Sequence, residues 1–123
     1  MKATRILRLT GGPVSIEGAV SLESTIHGIR PWRLPAGDRR LFEPSVVNKA
    51  SMPAGVRLAF VSDTGTVALH VRRDPGVAED PPWVFDLLVD GRLHQRVAPE
   101  PDDTAIRFTD LPAGEHRLEL YLP

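Results

Sequence analysis

Proline and glycine recur so often along this chain that hardly any window of helical length is free of them: 12 prolines and 10 glycines are spread through 123 residues. A proline inside a helix costs about 3 kcal/mol, because it removes a backbone donor and clashes with the preceding turn. Long helices are therefore excluded over most of the length. Residues 41–50 lack glycine but contain Pro44, so they have room for no more than a short helical turn, and the pattern does not call for one. The remaining way to bury apolar side chains is in strands.

The strands announce themselves by alternation. Leu58 and Phe60 point to one side, Arg57 and Ala59 to the other. The same two-residue period runs through Val67, Leu69 and Val71, through Phe85, Leu87 and Val89, through Ile106 and Phe108, and through Leu118, Leu120 and Leu122. One apolar and one polar face is the pattern of an antiparallel sheet covered on one side. Asp90-Gly91 lies between two such runs, and Asp-Gly supplies the positive φ angles of a type I′ hairpin turn. Asp63-Thr64-Gly65 separates two more runs and reads as a second hairpin. Leu111-Pro112-Ala113-Gly114 closes one strand and opens the next.

Residues 14–22 read as a single strand with Val14, Ile16 and Val20 facing inward. Residues 25–34 read as another, on an edge because Pro31 cannot donate to a ladder. Residues 35–40, 75–82 and 99–103 read as loops. Leu-Pro-Ala-Gly occurs at Leu34 and Leu111, and Pro-Ala-Gly again at Pro53; this is recurring turn chemistry. The expected fold is all-β: one domain over residues 1–123, a two-sheet antiparallel β-sandwich of jelly-roll or Greek-key type.

Several function classes lack their chemical requirements. The chain has no cysteine, so disulfides, zinc–thiolate sites and cysteine nucleophiles are excluded. Its formal net charge is -1, and Lys2 and Lys49 are its only lysines, so no basic footprint for nucleic acid exists. No stretch approaches a membrane span, and Arg5 and Arg8 interrupt the apolar residues near the start, which leaves the cytoplasm as the default compartment. His27, His70, His94 and His116 stand at no metal-ligand spacing, so neither metal nor cofactor is expected. The serines lack a Gly-x-Ser-x-Gly elbow. Asp63-Thr64-Gly65 matches the tripeptide of dimeric aspartic proteases, but Ser62 and Thr66 flank it where those enzymes carry other residues, and a turn explains it. Trp32 and Trp83 are the candidate ligand contacts, as a stacking platform for sugar; the plainer role for both is closing the ends of the core.

Taken in order, Trp32-Arg33-Leu34-Pro35, then residues 53–63 and Phe85-Asp86-Leu87-Leu88-Val89-Asp90-Gly91, resemble the β-sandwich that precedes the catalytic domain in some SGNH (GDSL-type) esterases. The closing run 117–123 is similar to that family's last strand before its hydrolase domain. The resemblance spans roughly residues 30–123, and its catalytic Gly-Asp-Ser block has no counterpart here. It implies a non-catalytic accessory domain at the N-terminal end of a longer chain. Its partner would be a C-terminal SGNH-type catalytic domain acting on acyl or acetyl esters, possibly of carbohydrates. A stand-alone carbohydrate-binding module is the alternative.

Overall fold

Side chains that alternate in the sequence alternate between interior and surface in the computed structural model, which describes residues 5–44, 46, 55–72 and 83–123. Among the described residues nine strands form: β1 (Ser15–Glu17), β2 (Ser21–Thr25), β3 (Gly28–Trp32), β4 (Arg57–Ser62), β5 (Val67–His70), β6 (Phe85–Val89), β7 (Arg92–Val97), β8 (Ala105–Phe108) and β9 (His116–Tyr121). A short 3-10 helix spans Ala36–Leu41, in place of the loop expected over residues 35–40. In the segment 41–50, Leu41 ends this 3-10 helix, Phe42 and Glu43 are not helical, and Pro44 and Val46 are; residues 45 and 47–50, and the loop at 75–82, lie outside the described residues. No helix among the described residues is long and apolar enough to cross a membrane.

The fold is all-β and sandwich-like, as the alternation requires. One layer is a five-stranded antiparallel sheet in the order β1-β4-β9-β6-β7, and the other carries the β5·β8 pair. The core between them is apolar throughout. Phe85, Leu87, Leu118 and Leu120 come from the large sheet, Ile106 and Phe108 from β8, and each is no more than 2% exposed. The chain crosses between layers after β4, β5, β7 and β8, which is why neighbours in the sheet are distant in sequence.

The outward face of the large sheet is held by charge. Arg57 Nη2 lies 3.0 Å from Glu17, and its Nε lies 3.4 Å from Glu119 Oε2, in ion-pair range but outside hydrogen-bond geometry. Arg117 reaches Glu17 at 3.3 Å and Glu119 at 3.8 Å. These side chains roof over Ala59, which is only 2% exposed although it faces outward.

Two expectations are corrected by the pairing. Residues 14–22 are two strands in different sheets, because Gly18, at φ +88°, turns the chain away from β4. Val20 is accordingly 62% exposed. Asp63-Thr64-Gly65 is not a hairpin turn. β4 pairs with β1 and β9 while β5 pairs with β8, so the tripeptide carries the chain across the sandwich. Neither Asp63 nor Gly65 has the positive φ a tight hairpin needs. Thr64 shapes the crossing instead: its Oγ1 donates to Thr66 O at 2.8 Å, and its N–H donates to Ser62 Oγ at 3.2 Å.

The β2–β3 hairpin stands apart from this body. It has a small cluster of its own, Trp32 and Leu34 with Ala36 against them, separate from the main core. Ser21 Oγ ties it together, donating to Leu34 O at 2.8 Å and accepting from Ala36 N at 3.0 Å.

Candidate functional site

Because the hairpin keeps its own cluster, a cleft remains between it and the sandwich. The cleft has a volume of about 520 Å³, within the size range of small-molecule pockets. Its floor is the exposed end of the core: Ile16, Leu58, Leu69 and Phe85, with Trp83 beside them. Trp83 meets Phe85 edge to face, ring centroids 6.0 Å apart and planes at 73°. The rim is basic: His27 and Arg30 from the hairpin, His70 and Arg72 from the end of β5.

One hydrogen bond closes the rim. Arg72 Nη1 lies 2.9 Å from His27 Nδ1. A guanidinium can only donate, so Nδ1 accepts and the imidazole proton sits on Nε2. His27 is held in place by the hairpin turn, where its N–H donates to Thr25 Oγ1 and that hydroxyl donates to Gly28 O.

The second site of interest is the β6–β7 turn. Asp90 and Gly91 take φ 49° and 82°, the type I′ geometry expected from the sequence. Asp90 Oδ1 accepts the Arg117 N–H at 2.9 Å, and Oδ2 lies 2.5 Å from His116 Nδ1. His116 Nε2 lies 2.9 Å from Ala113 O. Both partners of the imidazole are acceptors, so the geometry suits the doubly protonated ring. The pair resembles an acid–base dyad, yet Nε2, the nitrogen that would face a nucleophile, is occupied by a backbone carbonyl. Its work is structural: it pins the hairpin turn to the start of β9.

That pair makes stability depend on pH. The Asp90 hydrogen bond, then the Ala113 carbonyl, raise His116 above its usual 6.5. The His116 hydrogen bond, then the Arg117 N–H, hold Asp90 below its usual 3.8. A raised histidine stabilises fully below 6.5 and loses that contribution as pH rises through its folded value. A lowered aspartate stabilises above 3.8 and loses it as pH falls. The pair therefore contributes most between those values. Urea midpoints of the wild type minus those of His116→Asn should be larger at pH 5.5 than at pH 8.5. An equal difference at both would remove the pair from the account.

The two tryptophans belong to different neighbourhoods. Trp32 is 4% exposed, its Nε1–H donates to Glu23 Oε1 at 3.2 Å, and the guanidiniums of Arg39 and Arg30 lie 5.4 and 5.8 Å from its ring centroid. Trp83 lines the cleft. Among the described residues no group of three or more histidine or acidic side chains is placed to hold a metal ion. His94 Nε2 lies 2.9 Å from Thr109 O, and His70 lies on the cleft rim.

Comparison with known proteins now decides the family. The profile of the SsfX3 N-terminal domain matches residues 14–123. The chain belongs to the SsfX3 N-terminal domain family. No curated protein matches it. A solved structure, "Salicylyl-Acyltransferase SsfX3 from a Tetracycline Biosynthetic Pathway", superposes with a TM-score of 0.81 at 31% identity, covering 95% of this chain. The chain spans 35% of the length of that acyltransferase.

Membership of the SsfX3 family corrects the assignment to an accessory domain of an SGNH (GDSL-type) esterase, and with it the SGNH-type partner domain and the carbohydrate link. The physical reason lies in the motifs used. Residues 57–63 are β4 and its outgoing crossing, and residues 85–91 are β6 and its type I′ turn. Such motifs report an antiparallel sandwich and say little about the chemistry attached to it. The carbohydrate-binding module falls with the esterase: the relative is an acyltransferase, and Trp32 is buried rather than presented as a platform.

Proposed function

We propose that residues 1–123 form one domain at the N-terminal end of an acyltransferase, followed on the same polypeptide by a larger catalytic domain. The domain provides shape and binding surface, and the groups that make and break the acyl bond lie elsewhere. The class of group transferred is an aromatic acyl group of the salicylyl kind. The observation that carries this reading is the 31% identity with the salicylyl-acyltransferase, sustained over 95% of this chain but only 35% of that one. The chemistry agrees: Asp90 and His116, the pair most like a catalytic dyad, are consumed in holding a turn. Sequencing the gene beyond the Pro123 codon tests it. The frame should continue far enough to encode a domain larger than this one. A stop codon directly after Pro123 would overturn the proposal.

A further inference from the structure

Asp90-Gly91 is the one place in the sequence where an aspartate or asparagine directly precedes glycine. That dipeptide carries a chemical hazard. The Gly91 nitrogen can attack the Asp90 side-chain carbon Cγ; a carboxyl oxygen leaves as water and a succinimide ring forms. Water then opens the ring. Opening at the side-chain carbonyl restores aspartate, and opening at the main-chain carbonyl leaves isoaspartate. The water released is the water taken up, so mass is unchanged, but the main chain has gained a methylene. Glycine favours the attack because no Cβ shields its nitrogen.

The fold opposes that closure. Both carboxyl oxygens are engaged: Oδ1 accepts the Arg117 N–H at 2.9 Å, and Oδ2 lies 2.5 Å from His116 Nδ1. The N–H of Asp90 itself donates to Arg117 O at 2.8 Å, so main chain and side chain are tied together to the start of β9. His116 is fixed in turn by Ala113 O, 2.9 Å from its Nε2. Ring closure swings Cγ onto the Gly91 nitrogen and removes one oxygen, so these contacts must break first. The turn backbone is held as well, with Asp90 and Gly91 at φ 49° and 82° and Val89 paired with Arg92. The same contacts, His116 before Arg117, keep the carboxyl below its usual range, and the ionised form is the poorer electrophile.

We infer that Asp90-Gly91 is a latent isoaspartate-forming site, held shut by the clasp of His116 and the Arg117 N–H on the Asp90 carboxylate. The clasp thereby protects the covalent chain in addition to pinning the turn. A methylene inserted here would break the register of β7, the edge strand of the large sheet, against β6. The inference is independent of the acyltransferase reading, since it concerns only the lifetime of this peptide bond.

The test incubates the chain for several weeks at about pH 6, where His116 carries its proton, and counts isoaspartate at position 90 by fragment-ion mass spectrometry of the digested protein. The reference is a synthetic peptide of residues 85–97, a lone hairpin too small to hold its fold. The chain should isomerise at least about tenfold more slowly than the peptide. His116→Leu, which removes the donor to Oδ2, should isomerise about tenfold faster than the wild type, the factor that a charge-assisted hydrogen bond supplies. His116→Asn keeps an N–H donor without the charge and should lie between the two. Gly18→Ala is destabilised through Gly55 and not through the turn, and should stay within about twofold of the wild type, because its unfolded share remains small. A chain as fast as the peptide, both His116 variants at the wild-type rate, or a Gly18→Ala as fast as His116→Leu would overturn the inference.

Discussion

Phe108→Ala is expected to destabilise the domain by about 3–5 kcal/mol, the range for removing a buried aromatic ring and leaving a cavity. Phe108 is fully buried, with 0% of its surface exposed. It belongs to the short β5·β8 pair and packs into the cluster shared with Leu87, Leu118 and Leu120 of the large sheet. Its loss therefore strikes the contact between layers. Domains are stable by only about 5–15 kcal/mol, so this one substitution removes a large share. The urea midpoint should fall steeply with little change in slope. Leu93→Ala, at a position 57% exposed, is the control and should stay within about 0.5 kcal/mol of the wild type. Equal effects from the two substitutions would mean that the interior is not where the two-layer packing puts it.

Gly18→Ala should cost at least about 2 kcal/mol for a different reason, namely that the backbone there cannot accept a side chain. Gly18 sits at φ +88°, and a Cβ built on it would lie 2.6 Å from the carbonyl oxygen of Gly55. The obstacle is backbone at the entrance to β4, so relief requires moving the strand, not a rotamer. Two costs add: the left-handed conformation is unfavourable for any L-residue with a Cβ, and the contact is repulsive. Gly37→Ala is the matched control, with no atom within 4 Å of its added Cβ and no positive φ. It should be neutral or slightly stabilising, because alanine restricts the unfolded chain. Thermal midpoints of the two variants, measured side by side, decide the point.

The same glycine shows where sequence reading reached its limit. Val14, Ile16, Val20 and Leu22 look like one amphipathic strand, and nothing local says that the chain leaves the sheet at Gly18. The need for a glycine comes from Gly55, a contact between segments far apart in sequence. Where the determinants are local, the residues were legible. Asp90-Gly91 is a hairpin turn because aspartate tolerates positive φ and glycine, without a Cβ, adopts it freely, and a strand lies on either side of it as expected. Asp63-Thr64-Gly65 has similar composition but a different outcome. Its flanking strands find their partners in β9 and β8, and tertiary pairing outweighs turn propensity.

The cleft was beyond the reach of pattern. Trp83 could be singled out as a large aromatic at the head of a strand, but His27 and Arg72 are 45 residues apart and meet only because the hairpin folds back towards β5. Trp32 was singled out on the same grounds, and the structure gives it a place inside the hairpin's own cluster. The family was misread for a related reason. The order of strand and turn motifs identifies a kind of sandwich, whereas the kinship is a match over the whole of residues 14–123.

The claim on which the functional account rests is that these residues support acyl transfer without performing it. Its most direct test is an acyl-transfer assay with a salicylyl thioester donor, run on the 123-residue chain alone and on the complete polypeptide encoded by the gene. Turnover is expected from the complete polypeptide and none above background from the chain alone. Turnover by the chain alone, abolished by His116→Asn or Asp90→Asn while the fold persists, would contradict the account.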